Sequence, residues 1–276
     1  MKYFKRKARS SDFTIDDLPK TRKKQFLTIL KNDYILLLKI GLVLFVFYLP
    51  MLIVELIRFN LLNGILQVFT GDEQAAMIEL TQLIYGAICC VCFMVFSIGL
   101  SGIFYIYKRL IWGKPIFFKE DFKIGIKQNW KAFLLISLIG SVLEYVCFFV
   151  VFLNPDNIIF QSITYGVNLM IFIPYIAEFF FLNIFYKNKF GKSLLFSGVF
   201  YIKNFLFLIS FCCLIYIFYF INIIPYIVIA IIVKTVCIIT LVPIIILYGF
   251  SSHVYKYDCL INEKQYPSIY HRGINY

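Results

Sequence analysis

Three ionisable side chains lie where water should be absent. Glu144, Glu178 and Lys234 each fall inside a long apolar run. A charge at the centre of a bilayer is unfavourable by roughly 2.5–3.5 kcal/mol on insertion scales, so such groups face inward and find partners. Two chemistries follow. The three could line a path for a proton or small solute, or they could pair between helices and fix the packing. Lys234 is expected to pair with Glu144 or Glu178. Glu178 also sits one turn after Pro174, where a missing backbone donor opens the helix. Lys39, Glu55 and Glu79 lie nearer the ends of their runs and are expected to reach water by snorkelling.

Other chemistry is excluded by spacing. Gly191-Lys192-Ser193 matches the end of a phosphate-binding loop, but the required first glycine would stand at Tyr186, and no strand precedes it. His253 and His271 have no Cys or His partner at metal-ligand spacing. Of eight cysteines, seven lie in apolar runs, where Cys packs as a small apolar residue. Nucleophile elbow, HExxH and Gly-rich dinucleotide motifs are all missing. The expectation is therefore no enzyme, no catalytic residue, no metal and no cofactor.

The elements that hold these residues are membrane spans. The chain has 276 residues, 61% of them hydrophobic and only 15% charged, with a mean hydropathy of +0.84. A soluble fold cannot hide that much apolar surface. Runs of about 20 apolar residues mark spans, and six are read: 35–57, 82–107, 132–153, 160–186, 205–222 and 225–250. The first begins too far from Met1, and lacks the small-residue site, to be a cleaved signal. The last two meet in a tight hairpin. Segment 1–34 is a basic N-terminal arm and 251–276 a tail.

Lys and Arg orient the spans. Residues 1–34 hold ten, 108–131 seven, 187–204 four and the tail three, whereas the opposite connections hold only Arg58. Both termini are thus expected in the cytoplasm of a bacterial cell membrane, the bacterial source being suggested by heavy use of Phe, Ile, Tyr, Lys and Asn. The net charge of +12 belongs to these connections, so lipid rather than nucleic acid is the expected partner.

A repeat runs through the spans. The second, fourth and sixth end alike, at Tyr107-Lys108, Tyr186-Lys187 and Tyr255-Lys256, with Pro174 and Pro243 twelve residues before the later two tyrosines. The odd spans are entered through Asn32-Asp33-Tyr34, Asn129-Trp130 and Asn204-Phe205. Three tandem hairpins follow, each an amphipathic elbow, an outward helix and a returning one. In the second elbow Phe118, Phe122, Ile126 and Trp130 recur every four residues beside Lys119, Lys123, Lys127 and Lys131. That pattern suits a helix lying in the interface against anionic lipid. A docking surface for another membrane protein is the alternative.

The patches Gly99-Leu100-Ser101-Gly102, Tyr107-Lys108-Arg109-Leu110, Asp121-Phe122 and Lys127-Gln128-Asn129-Trp130-Lys131, with the tail Lys264-Gln265-Tyr266-Pro267 to Arg272-Gly273, resemble the YesL-like family of bacterial membrane proteins. That resemblance implies a small multi-pass protein associated with carbohydrate uptake systems in Gram-positive bacteria, and no catalytic residues. The functional expectation is an accessory or regulatory partner of a transporter. A small-solute or proton-coupled carrier using Glu144, Glu178 and Lys234 is the alternative.

Overall fold

The computed structural model describes residues 22–111, 115–154, 157–185, 190–221 and 226–257. Side chains at 22–25, 207, 215–220 and 252–257 lie outside the description, as do Trp112, Tyr186-Lys187, Cys259, His271 and the tail motif. The elements are α1 (Arg22–Asn32), α2 (Tyr34–Val68), α3 (Gly71–Ile111), α4 (Phe118–Phe152), α5 (Ile158–Val167), a π-helical segment (Asn168–Phe172), α6 (Ile173–Phe185), α7 (Phe190–Phe220) and α8 (Ile227–Tyr257). This is an all-α, polytopic membrane fold. Five described helical runs are long and apolar enough to cross a membrane: α2, α3, α4, the α5–π–α6 run and α8. A sixth is α7 if its two parts, which meet at 78°, count as one span.

Two spans outgrow their expected limits. At 1.5 Å per residue, the 35 residues of α2 and 41 of α3 reach about 52 and 62 Å, beyond the roughly 40–45 Å of a whole bilayer. Residues 58–81 therefore form no loop. Both helices continue to a turn closed at Gly71, whose φ of 64° is left-handed and suits a residue without Cβ. Asp72 and Glu73 then open α3, where the helix dipole favours anions.

The hairpins form a ring. The most extensive packing joins α3 to α4 and α2 to α3, then α8 to α2, which closes the circle, and α6 to α7. The returning helices α3, α6 and α8 meet inside. Phe104 of α3, Phe181 of α6 and Phe250 of α8 form a triangle with centroids 4.8–5.5 Å apart. Phe181 and Phe250 hold the same place in the repeat, five residues before Tyr186 and Tyr255. Tyr107, Phe133 and Phe179 are also fully buried, so the core lies in the basic half. The far half exposes Ile57, Leu61, Leu80, Ile84 and Val91, as a lipid-facing surface does.

The second elbow is not a separate element. Helix α4 runs unbroken from Phe118 to Phe152, so elbow and span are one rod. A Cβ built on Gly125 would stand 2.9 Å from the Cα of Gly102. The glycines thus let the backbones of α3 and α4 touch, which holds residues 118–131 along α3. Phe118 and Phe122 consequently pack against the protein core. The other two entries do break: α1 ends at Asn32, before α2 starts at Tyr34, and α7 bends between Leu206 and Leu208.

Candidate functional site

The deepest lysine has a partner that spacing did not suggest. Lys234 of α8 is salt-bridged to Glu55 of α2, and both are buried. The expected pairing with Glu144 or Glu178 is therefore replaced, and Glu55 does not reach water. Its surroundings are polar. On the next turn of α2, Arg58 Nη1 donates to Gln82 Oε1 at 3.0 Å, and its guanidinium lies 4.6 Å from the Tyr85 ring centre. Tyr85 hydrogen bonds Cys89 along α3. Glu55 and Arg58 at i, i+3, facing Gln82, Tyr85 and Cys89 at i, i+3, i+7, could have been read as two polar stripes facing each other. Nearness to a span end argued against it.

Glu144 belongs to a second polar group, between α4 and the π segment. Asn168 Nδ2 donates to Glu144 Oε2 at 2.6 Å, and nearby Cys90 Sγ donates to the Ser141 carbonyl at 3.3 Å. A π turn interrupts regular helix and recurs at functional sites. Here it precedes Pro174, which has no N–H for the turn before it. The carbonyl of Met170, four residues earlier, accepts the Tyr201 hydroxyl at 2.5 Å. The other repeat proline behaves similarly: a Cβ on Gly41 would collide with the carbonyl of Ile239, four residues before Pro243. Glu178 is fully buried on α6. The three sequence-predicted residues thus divide among separate neighbourhoods, with Lys234 held by α2 and Glu144 by the π segment.

At the basic end the first Tyr-Lys pair, the one whose side chains are described, is internal. Tyr107 is completely buried, not a headgroup anchor, and its hydroxyl donates to the Pro243 carbonyl at 2.7 Å. Lys108 Nζ donates to the Ile184 carbonyl at 2.7 Å, a cation at the C-terminus of α6 where the dipole favours one. Arg109 is salt-bridged to buried Asp121, whose other oxygen accepts the Phe117 N–H at 2.7 Å. Three consecutive residues of α3 therefore tie it to α8, α6 and α4. Lys119, Lys123, Lys127 and Lys131 are all exposed on the outer side of α4, and Lys131 lies 5.7 Å from the Trp130 ring centre.

Beside that strip a cleft of about 440 Å³ opens between α4, α6 and α7, bordered by Gln128, Asn129, Lys131, Leu135, Asn183 and Phe190. None of Glu55, Glu144, Glu178 or Lys234 borders it. Among the described residues no three His, Cys, Asp or Glu side chains converge as metal ligands, and the seven described cysteines are free. Comparison with known protein families, with curated proteins and with solved structures finds no match.

Proposed function

We propose that this chain is an accessory membrane protein of a bacterial cytoplasmic membrane, working beside a transport system with its basic end and both termini in the cytoplasm. Carbohydrate uptake is the transport class that the YesL-like resemblance favours. The observation that carries the reading is the use made of the intramembrane charges. Lys234 is held by Glu55 between α8 and α2, and Glu144 by Asn168 between α4 and the π segment. Neither pair borders the cleft. Charges used to join helices serve packing, and a cytoplasmic surface with an exposed lysine strip serves lipid or partner contact. The patches behind the resemblance also converge: Gly102 with Phe122, and Arg109 with Asp121, form one α3–α4 junction.

The carrier reading keeps one specific support. A π segment and a 78° bend in α7 stand in neighbouring spans, and interrupted helices frame many transport sites. Purification from native membrane with in-place cross-linking tests the first reading, and proteoliposome flux tests the second. A reproducible transporter partner without intrinsic proton or sugar flux is the expected result. Flux by the chain alone, lost on changing Glu144, would reverse the assignment.

A further inference from the structure

The cleft at the basic end combines a buried amide, a cation and an apolar floor. Asn183 stands in the run Phe179-Phe180-Phe181-Leu182-Asn183-Ile184 and is only 9% exposed. Its side chain makes no hydrogen bond among the described residues, and its amide reaches the surface rather than being sealed inside. Its accessible edge is the cleft wall. Facing it on α4 are Gln128, Asn129 and Lys131. Asn129 commits one amide hydrogen to the Gly125 carbonyl and keeps its remaining hydrogen-bonding capacity. Among the described residues the cleft thus offers amide N–H groups and one ammonium, with no carboxylate on its border. Such a donor set fits an anionic oxygen cluster, above all a phosphate.

The other wall indicates where that phosphate comes from. Leu135 and Phe190 border the cleft, and below Leu135 the same helix exposes Leu138, Ile139 and Val142. A ligand with its phosphate at Asn183 and Lys131 would have its continuation lying on apolar, lipid-facing helix. Trp130, 39% exposed beside the cleft, sits where aromatic residues mark the headgroup level. We propose that this cleft is a specific site for the phosphodiester headgroup of an anionic glycerophospholipid. Asn183 and Gln128 would donate to phosphate oxygens, Lys131 would supply the charge, and Leu135 with Phe190 would receive the first acyl methylenes. The site deepens the proposed function and rests on its cytoplasmic placement of the basic end.

The test is lipid retention by the full-length chain. The protein is reconstituted in nanodiscs of phosphatidylcholine and phosphatidylglycerol, re-extracted in mild detergent, and its bound lipids are counted by native mass spectrometry. Wild type should keep phosphatidylglycerol in preference to phosphatidylcholine. Lys131→Gln should reduce that retention about fivefold, the ratio matching the ~1 kcal/mol of one basic residue at an anionic surface. Asn183→Leu should reduce it as well. If Asn183→Leu fails to fold, Gln128→Leu supplies the second comparison. Lys203→Gln, exposed on α7 and outside the cleft, should leave retention unchanged. Equal retention of both lipids would overturn the site, as would an equal loss in the Lys203 variant, which would mean diffuse attraction. Displacement by inorganic phosphate would assign the cleft to a soluble phosphate instead. Nanodiscs expose both faces, so reporter fusions placing the basic end outside would overturn the orientation without altering this measurement.

Discussion

Lys234 and Glu55 join the last described span to the first, so the buried salt bridge closes the ring of helices. Breaking a buried pair from one side leaves a charge in a medium that cannot solvate it, at roughly 3–5 kcal/mol. Lys234→Met and Glu55→Gln should each lower the unfolding temperature in detergent. The double apolar variant, Lys234→Met with Glu55→Met, should recover most of the loss, because well-packed apolar pairs are often neutral or better at such sites. Additive losses in the double variant would mean that the two side chains do not depend on each other.

A second prediction opposes two glycines of α2. Gly41 lies against α8, where a Cβ would meet the Ile239 backbone, whereas Gly64 has nothing within 4 Å. Gly41→Ala should destabilise by about 1–3 kcal/mol, as overpacking does. Gly64→Ala should stabilise by up to about 1 kcal/mol, since Ala loses less backbone entropy in a helix. Thermal melts of both variants decide the matter through their sign. The same sign at both positions would contradict the α2–α8 contact.

The unequal legibility of the fold follows from what each signal measures. Hydropathy marks where lipid is tolerated, so spans were readable at their apolar centres, and α2 and α3 were cut short where polar residues entered at 58–81. Periodicity in 118–131 gave a helix with a basic strip, and the lysines are exposed as expected. What periodicity cannot give is the neighbour: Phe122 faces protein and not lipid because Gly102 and Gly125 permit a backbone contact. Depth arguments singled out Lys234 but chose its partner by apparent depth alone. Glu55 wins because α8 packs on α2, a relation between chain ends that no local pattern encodes. The burial of Tyr107 is hidden for the same reason: its acceptor, the Pro243 carbonyl, is 136 residues away.

The junction between α3 and α4 yields the third prediction. Asp121 is 1% exposed and takes both the Arg109 guanidinium and the Phe117 N–H. Asp121→Ala should destabilise by about 2–3 kcal/mol, below the full range for a buried pair because Arg109 is 22% exposed. Arg109→Ala in the Asp121→Ala background should add little. A large further loss, seen by chemical or thermal unfolding, would show that Arg109 has another stabilising contact.

Orientation is tested by reporter fusions. Those after residues 120, 195 and 276 should read cytoplasmic and those near 70 and 156 external, since the basic connections alternate with nearly uncharged ones. A fusion near residue 70 reports on the α2–α3 turn, which both long helices carry past the bilayer. An external C-terminus would make the number of spans odd. The bent α7 would then be a re-entrant element and not the sixth crossing.

The last prediction concerns Asn204, just before that bend. It is 1% exposed, and neither its amide nitrogen nor its oxygen has a hydrogen-bond partner among the described residues. On the same helix Ser193 is 2% exposed, and its hydroxyl is likewise unpaired. A polar group buried this way in a dry contact is unfavourable by about 1–3 kcal/mol. Leu is close to Asn in size and carries no such demand. If α7 packs dry against its neighbours, as a structural scaffold would, Asn204→Leu should raise the unfolding temperature. A lowered temperature would mean that the amide holds water or a solute at the entry of the span. Proteoliposome flux by the same variant then bears on the carrier reading, because a polar contact that stabilises the protein while serving a path should reduce both quantities together.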